Sequence, residues 1–337
     1  MPDARLTSHG LRLSGWQFSM GPELGPPPSL GLAHAGAGPR GLGPLFCPLS
    51  PKQMPTLGLL LPEVPMLSRL QANGCKSLKT VSSSRNAITK CWNRNELLRE
   101  QLNFSNCRRL GYDARSSIMV DSQLRIMRVA TASSKLKEEN EDYVQRVYEP
   151  LVTMVCPGDE IPKWFVHQNM GASINVRLPA NWFREGFLGF ALTVVASDLF
   201  DPYVKFECKY NFKTGEGESH EINCYFNLEI GNVVKYRCSD LQHVFVLYKD
   251  LEYEKRTKWS PAFYNRVTEV SVHFRQEWVF LTVEKCGMCL LYAEDAEKLK
   301  CHVMSRQEQD EHAASGSGDL EASGSNESEE ASGSDDL

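Results

Sequence analysis

No stretch of this 337-residue sequence stays apolar for long. The longest near-continuous apolar-plus-glycine run, Gly186 to Ala196, is eleven residues interrupted by Thr193, against about 20 for a membrane-spanning helix. Membrane insertion is not expected. The first residues scatter Asp3, Arg5 and Arg12 among polar neighbours and lack the apolar core of a secretory leader. Eleven cysteines, an odd number without such a leader, favour reduced thiols in a cytoplasmic or nuclear setting over a disulfide framework. Also missing are a G-x-x-x-x-G-K-[ST] phosphate cradle, a G-x-G-x-x-G turn after a strand, a G-x-S-x-G elbow and an H-E-x-x-H pair. His167 follows Trp164-Phe165 with no nucleophile placed beside it in sequence, so a catalytic triad cannot be argued. The expectation is a protein that is not an enzyme and carries no cofactor.

Basic residues are missing from one end. All 37 Lys and Arg lie at or before Arg306, and 10 of the 42 acidic residues follow it, which leaves residues 1–306 at 37 − 32 = +5. The overall charge of −5 is therefore the sum of a mildly basic body and an acidic tail. Residues 1–55 hold nine Gly and ten Pro with no sustained period, and residues 304–337 end in Ser, Gly and acid. Both segments are expected to be disordered, because they cannot bury enough apolar surface to offset their ordering entropy.

Between the ends, Leu70-Gln-Ala-Asn-Gly-Cys75-Lys-Ser-Leu78 and Leu102-Asn-Phe-Ser-Asn-Cys107-Arg-Arg-Leu110 share the pattern L-x-(apolar)-x-x-C-x-x-L at an offset of 32. This is the strand-and-turn half of a leucine-rich repeat, so residues 56–112 read as a degenerate repeat remnant. Two or three such units cannot close a core alone. Residues 113–150 read as a helical adapter: Val120, Leu124 and Met127 fall on one face, with Arg115, Arg125 and Arg128 assigned to the wet side.

Residues 151–303 change period. Ile174, Val176 and Leu178 alternate, as do Val204 to Phe212, Val244 to Tyr248 and Val270 to Phe274. Phe187–Ala196, Cys224–Ile230 and a pair of strands within Val279–Ala293 bring the total to eight or nine, separated by Pro157-Gly158, Asp201-Pro202 and Gly215-Glu-Gly217 turns. With no helical pattern between them, the expected fold is a mainly β, antiparallel β-sandwich. Cys286-Gly-Met-Cys289 is the only C-x-x-C, but positions i and i+3 of a strand face opposite sides, so no metal site is expected. The strand-period aromatics belong to the core before they belong to any nucleic-acid platform, so no nucleic-acid binding is expected.

The run Cys156-Pro-Gly-Asp-Glu-Ile-Pro-Lys-Trp-Phe165, with Leu178-Pro179, Trp182 and Phe187-Leu-Gly189-Phe-Ala191, resembles the opening of the C-terminal jelly-roll/Ig-like domain (C-JID) of plant TIR-nucleotide-binding-leucine-rich-repeat immune receptors. Val270-Ser-Val-His-Phe274 and Lys285-Cys-Gly-Met-Cys-Leu-Leu-Tyr-Ala293 resemble its later strands. Pro157, Gly158, Ile161, Pro162, Trp164, Phe165 and Gly189 are assigned to fold formation. The resemblance implies a role in plant defence: contact with a pathogen effector protein, or with other receptor domains, through sandwich loops. Candidate loops are Ser197–Tyr203, Lys213–Ile222 and Leu251–Tyr264, the last carrying Tyr253, Arg256, Trp259 and Tyr264, residue types typical of binding hot spots. A carbohydrate-binding jelly roll is the alternative, since the same architecture hosts lectins, and a gene fragment without activity of its own is another.

Overall fold

The computed structural model describes four short backbone strands between Arg5 and Pro48, then residues 69–75, 77–81, 99–139, 151–198, 203–229, 241–251, 260–276 and 281–315. In chain order the elements are β1 (Arg5–Thr7), β2 (Gly10–Leu13), β3 (Trp16–Gln17), β4 (Phe46–Pro48), β5 (Arg69–Gln71), β6 (Arg99–Asn103), α1 (Tyr112–Glu139), β7 (Leu151–Pro157), β8 (His167–Met170) and β9 (Ser173–Arg177). There follow β10 (Phe187–Ser197), β11 (Tyr203–Thr214), β12 (Ser219–Glu229), β13 (His243–Lys249), α2 (Pro261–Tyr264), β14 (Val267–Gln276), β15 (Thr282–Tyr292) and α3 (Ala293–Ser315). Most of the segment 1–55 lies outside the described residues. Within it, β1, β2 and β3 form a small sheet of their own.

Two sheets carry the rest. One has the order β4-β5-β6-β7-β13-β10-β15-β8 and the other β12-β11-β14-β9. The expected antiparallel sandwich holds from β7 onward, but the larger sheet is mixed: β4, β5, β6 and β7 pair in parallel. The repeat remnant is thus built into the sandwich rather than strung before it. Leu70 pairs with Leu102 across β5 and β6, which is the 32-residue offset of the sequence pattern. Leu70, Ala72, Cys75, Leu78, Leu102, Phe104, Cys107 and Leu110 are all buried. Parallel neighbours need a long crossover, and α1 supplies it between β6 and β7. A few repeats that could not close a core alone extend an existing one.

The larger sheet is the middle of three layers. Every residue of β7 and β13 is buried, whereas β11 alternates buried and partly exposed positions. Val152, Met154, Val246 and Tyr248 pack on the helix side with Leu124, Met127 and Val129 of α1. Leu151, Val155, Phe245 and Leu247, on the opposite face, meet Phe206, Tyr210 and Phe212 of the second sheet. The ring centroids of Phe206 and Phe245 lie 5.1 Å apart across that interface.

Several expectations are corrected. Arg125 and Arg128 are not on a wet face: both are buried and pair with the equally buried Glu100 of β6. Buried cations keep their charge only with a partner, and the partner sits 25 and 28 residues upstream, where helical periodicity does not register it. The tail expected to be disordered from 304 is helical as far as Ser315, because Ala296, Leu299 and Val303 recur at helical spacing against the same cluster as α1. Among the described residues of Val279–Ala293 there is one long strand, Thr282–Tyr292, not two. Lys213–Ile222 is mostly strand: Lys213 pairs with Ser219, and only Gly215–Glu218 turns.

Candidate functional site

Strand register fixes which loops share an end of the sandwich. Ala196 of β10 lies opposite His243, and Pro157 of β7 pairs with the same residue, so the 198–202 connection leaves from the His243 end. Residues 178–186, the 215–218 turn and the described ends of the connection between β13 and β14, residues 250–251 and 260–266, gather at the other, the Tyr264 end. The turn of Lys213–Ile222 and the described ends of Leu251–Tyr264 therefore share an end of the sandwich, and Ser197–Tyr203 starts and finishes at the other.

The Tyr264 end rests on aromatic rings. Trp182 is buried, donates through Nε1 to the Val267 carbonyl at 3.0 Å, and accepts at its own carbonyl from the Tyr292 hydroxyl at 2.8 Å. Its ring stacks at 6.2 Å and 7° on Phe212 and meets Phe187 edge-on at 5.2 Å. Such pairs add stability beyond their area. Phe183 and Phe263 are only partly buried on this cluster. Above it, Arg266 clamps the hairpin, reaching Glu216 at 2.9 Å and Glu218 at 2.7 Å. Arg184, exposed, pairs with Glu294 and lies 4.5 Å over the Tyr292 ring.

Of the predicted contact residues, Tyr253, Arg256 and Trp259 lie outside the described residues. Tyr264 is corrected: at 2% exposure it is a core residue, not a surface contact. Ser260-Pro261 starts the one-turn α2, which swings the ring inward. Its hydroxyl stands 2.6 Å from Nδ1 of His220, and burial pushes its pKa above the ordinary tyrosine value. Sequence reasoning missed Phe183, Phe263 and Arg266. The last could have been sought as the one basic residue between Lys258 and Arg275, with Glu216 and Glu218 facing across a hairpin.

The residues assigned to fold formation sit where α1 meets the middle sheet. Ile161, Pro162 and Phe165 are buried, and Trp164 stacks on Phe165 at 3.8 Å while donating to the Met119 carbonyl at 3.3 Å. Pro157 ends β7, and Gly158 follows with its N–H on the Gln242 carbonyl at 3.0 Å. Gly189, at φ +117°, occupies a bulge in β10 beneath Tyr248, a backbone shape that disfavours any side chain. Together with α1, the 157–164 segment walls a cleft of about 400 Å³.

The model of the C-JID domain matches residues 156–297. The sandwich is a C-JID match. The matched region opens at Cys156 in β7, one residue before the turn just described, and closes in the first turns of α3. The chain is 32% identical over 254 residues to disease resistance-like protein DSC1 of Arabidopsis thaliana, covering 70% of this chain and 20% of that relative. It is 27% identical over 274 residues to disease resistance protein RPP2B and 28% identical over 251 residues to disease resistance protein RPS4, both of the same plant. Each of those matches covers 71% of this chain. The chain spans about a fifth of the length of these relatives. Its homologues are thus plant disease resistance proteins, and residues 156–297 are the part that matches the C-JID domain. A family 22 carbohydrate-binding module of Clostridium thermocellum Xyn10B aligns at 12% identity over 42% of this chain and 83% of that one, with a TM-score of 0.20, which carries no argument for a glycan ligand.

Among the described residues no group of three or more His, Cys, Asp or Glu is placed to hold a metal ion. Cys286 faces the inter-sheet core and Cys289 the helix side, so the C-x-x-C pair cannot share one ion. The eight described cysteines are free thiols, and burial pushes Cys286 up to about 12 and Cys289 to about 11. No helix among the described residues is long and apolar enough to cross a membrane.

Proposed function

We propose that this chain is a non-catalytic recognition module of a plant immune receptor and that it meets a pathogen effector protein, or another part of the receptor, at the Tyr264 end of its sandwich. The observation that carries this reading is the aromatic floor around Trp182, whose ring meets Phe183, Phe187, Phe212 and Tyr264 and so ties together the described residues at this end. Rings partly open to solvent at Phe183 and Phe263, ringed by Arg184, Arg266 and their carboxylates, form an apolar centre with a polar rim, the anatomy of a protein interface. A scaffold that keeps its loops fixed lowers the ordering cost of association. Tyr253, Arg256 and Trp259 belong to the connection that leaves from this same end and remain contact candidates. Free, buried thiols are in keeping with a reducing compartment, cytoplasm or nucleus.

The test is a binding assay of the full chain against candidate effectors and against receptor fragments, with Phe183→Ser and Phe263→Ser at the Tyr264 end and Asp198→Ser at the other. Loss of binding of at least tenfold in the first two and none in the third is expected. Equal loss in all three, or loss only at Asp198, would overturn the assignment of the surface.

A further inference from the structure

The cleft between α1 and the 157–164 segment has chemistry that the fold does not use. Its floor is apolar, with Met119 and Ile161, and Trp164 forms one wall. Two cations line it. Lys163 is exposed, and Arg115 has its Nε shielded from solvent with no hydrogen-bond partner. No ion pair forms at Arg115 among the described residues, and its guanidinium is felt electrostatically by the buried thiol of Cys156. A shielded guanidinium N–H without an acceptor costs free energy until one arrives, and carboxylate is the acceptor that fits its fork. The exposed carboxylates of Asp159 and Glu160 line the same cleft. A continuous acidic run would be repelled there. The fitting occupant presents one apolar side chain flanked by one or two carboxylates.

The chain contains such a segment. Residues 316–337 carry seven acidic residues and no Lys or Arg, and within them Gly318-Asp319-Leu320-Glu321-Ala322 sets a leucine between two acids. The adjacent acid pairs Glu329-Glu330 and Asp335-Asp336 lack that pattern. The chain is long enough to reach. α3 opens beside Gly186, whose carbonyl accepts from the Ala293 N–H, and Gly186 and Lys137 of α1 line one cavity. The 23 residues of α3 rise about 34 Å, and the 22 steps from Lys137 back to Arg115 about 33 Å. Five further residues span up to about 17 Å.

We propose that the cleft is the docking site of residues 318–322 of this same chain: Leu320 enters over Met119 and Ile161, Asp319 or Glu321 meets Arg115, and the other acid meets Lys163.

The test uses the full chain and reads backbone hydrogen exchange across residues 158–165. In the triple variant Asp319→Asn, Leu320→Ser, Glu321→Gln, exchange in this window is expected to rise at least fivefold, with the core strands β10 and β13 unchanged. Arg115→Gln should give the same rise, and 0.5 M salt a smaller one, since a charge contact is screened. A benzoylphenylalanine photo-crosslinker placed at position 320 should capture the cleft segment in the chain with Arg115 and lose it with Arg115→Gln. Unchanged exchange in the triple variant would overturn the proposal, even if Arg115→Gln fails to fold, because positions 319–321 lie outside the described fold. Protection that disappears on tenfold dilution would also overturn it, by assigning the occupant to a second copy.

Discussion

The two sheets of this protein differ less in their strands than in what covers them. β11 has one dry face and one wet face, and its sequence alternates accordingly. β7, in the middle layer, is dry on both faces and reads Leu-Val-Thr-Met-Val-Cys-Pro with no period at all. The difference teaches that alternation reports the number of covered faces, not the presence of a strand. The helices α1 and α3 are what remove the second wet face, and charge is buried where they do so.

The comparison breaks most sharply at Glu100. On the helix side of the middle layer, Glu100→Ala would leave the buried guanidinium groups of Arg125 and Arg128 without their carboxylate, and losing one partner of a buried pair costs about 3–5 kcal/mol. The measurement is the urea unfolding midpoint of the full chain. Replacing all three residues with apolar ones of similar size should restore much of the loss. If Glu100→Ala unfolds at the wild-type midpoint, the helix is not held by this pair.

A second prediction concerns the joint between repeat and sandwich. His243 is fully buried at the start of β13, its Nε2 accepts from the N–H of Asn106 at 3.1 Å, and Asn106 itself adopts the left-handed φ of +60°. Burial lowers the His243 pKa from 6.5 to about 4, and the Leu241 carbonyl offsets only part of that. The unfolded chain therefore takes up the proton first, so His243 favours the fold fully above pH 6.5 and progressively less as pH falls toward 4. The loss amounts to about 3 kcal/mol over that window. His243→Gln, which keeps an acceptor for Asn106, should flatten the dependence. An equally steep fall in the variant would mean that other groups carry it.

These two sites also show what the sequence discloses and what it does not. The outer-sheet strands β9, β11 and β14 were legible from alternation, and the repeat register was legible from Leu70, Cys75, Leu102 and Cys107. β8, His-Gln-Asn-Met, carries no strand signal and is recruited by pairing with β15. Arg125 and Arg128 look like surface residues until Glu100 is placed beneath them. Tyr264 looked like a contact because its neighbours did, and only the turn at Pro261 decides which way it faces. The shared surface of the 178–186 and 215–218 connections depends on strand order, a property of pairing over long separations that local pattern does not encode.

A third prediction sharpens the comparison within the middle layer itself. Gly287 lies in β15 where a Cβ would stand 2.8 Å from Cγ2 of Thr193 and 3.1 Å from the carbonyl oxygen of His167. Backbone cannot yield as a flexible side chain does, so Gly287→Ala should cost about 1–3 kcal/mol. Gly217→Ala, in the hairpin at φ +92° with open space around it, suffers only backbone strain and should cost less, about 1 kcal/mol. Equal losses would imply that the middle layer has more slack than its burial suggests.

The smallest expected effect is at Arg266, and it separates stability from recognition. Its guanidinium spans two carboxylates of the opposite hairpin in full solvent, where ion pairs contribute little to folding. Arg266→Ala should leave the thermal midpoint unchanged, and in high salt the wild type should behave like the variant. What changes is local: freed of the clamp, the Gly215–Glu218 turn is held by the bonds between Thr214 and Glu218 at 2.9 and 3.1 Å and by the Gly217 N–H on the Thr214 carbonyl at 3.1 Å, and its amides should exchange several-fold faster. If the Tyr264 end is the contact surface, the same variant loses affinity through a slower or less complete fit while its unfolding curve stays in place. A protein that lost both together would show that the clamp belongs to the fold, and the aromatic floor around Trp182 would then have to position the hairpin with its help.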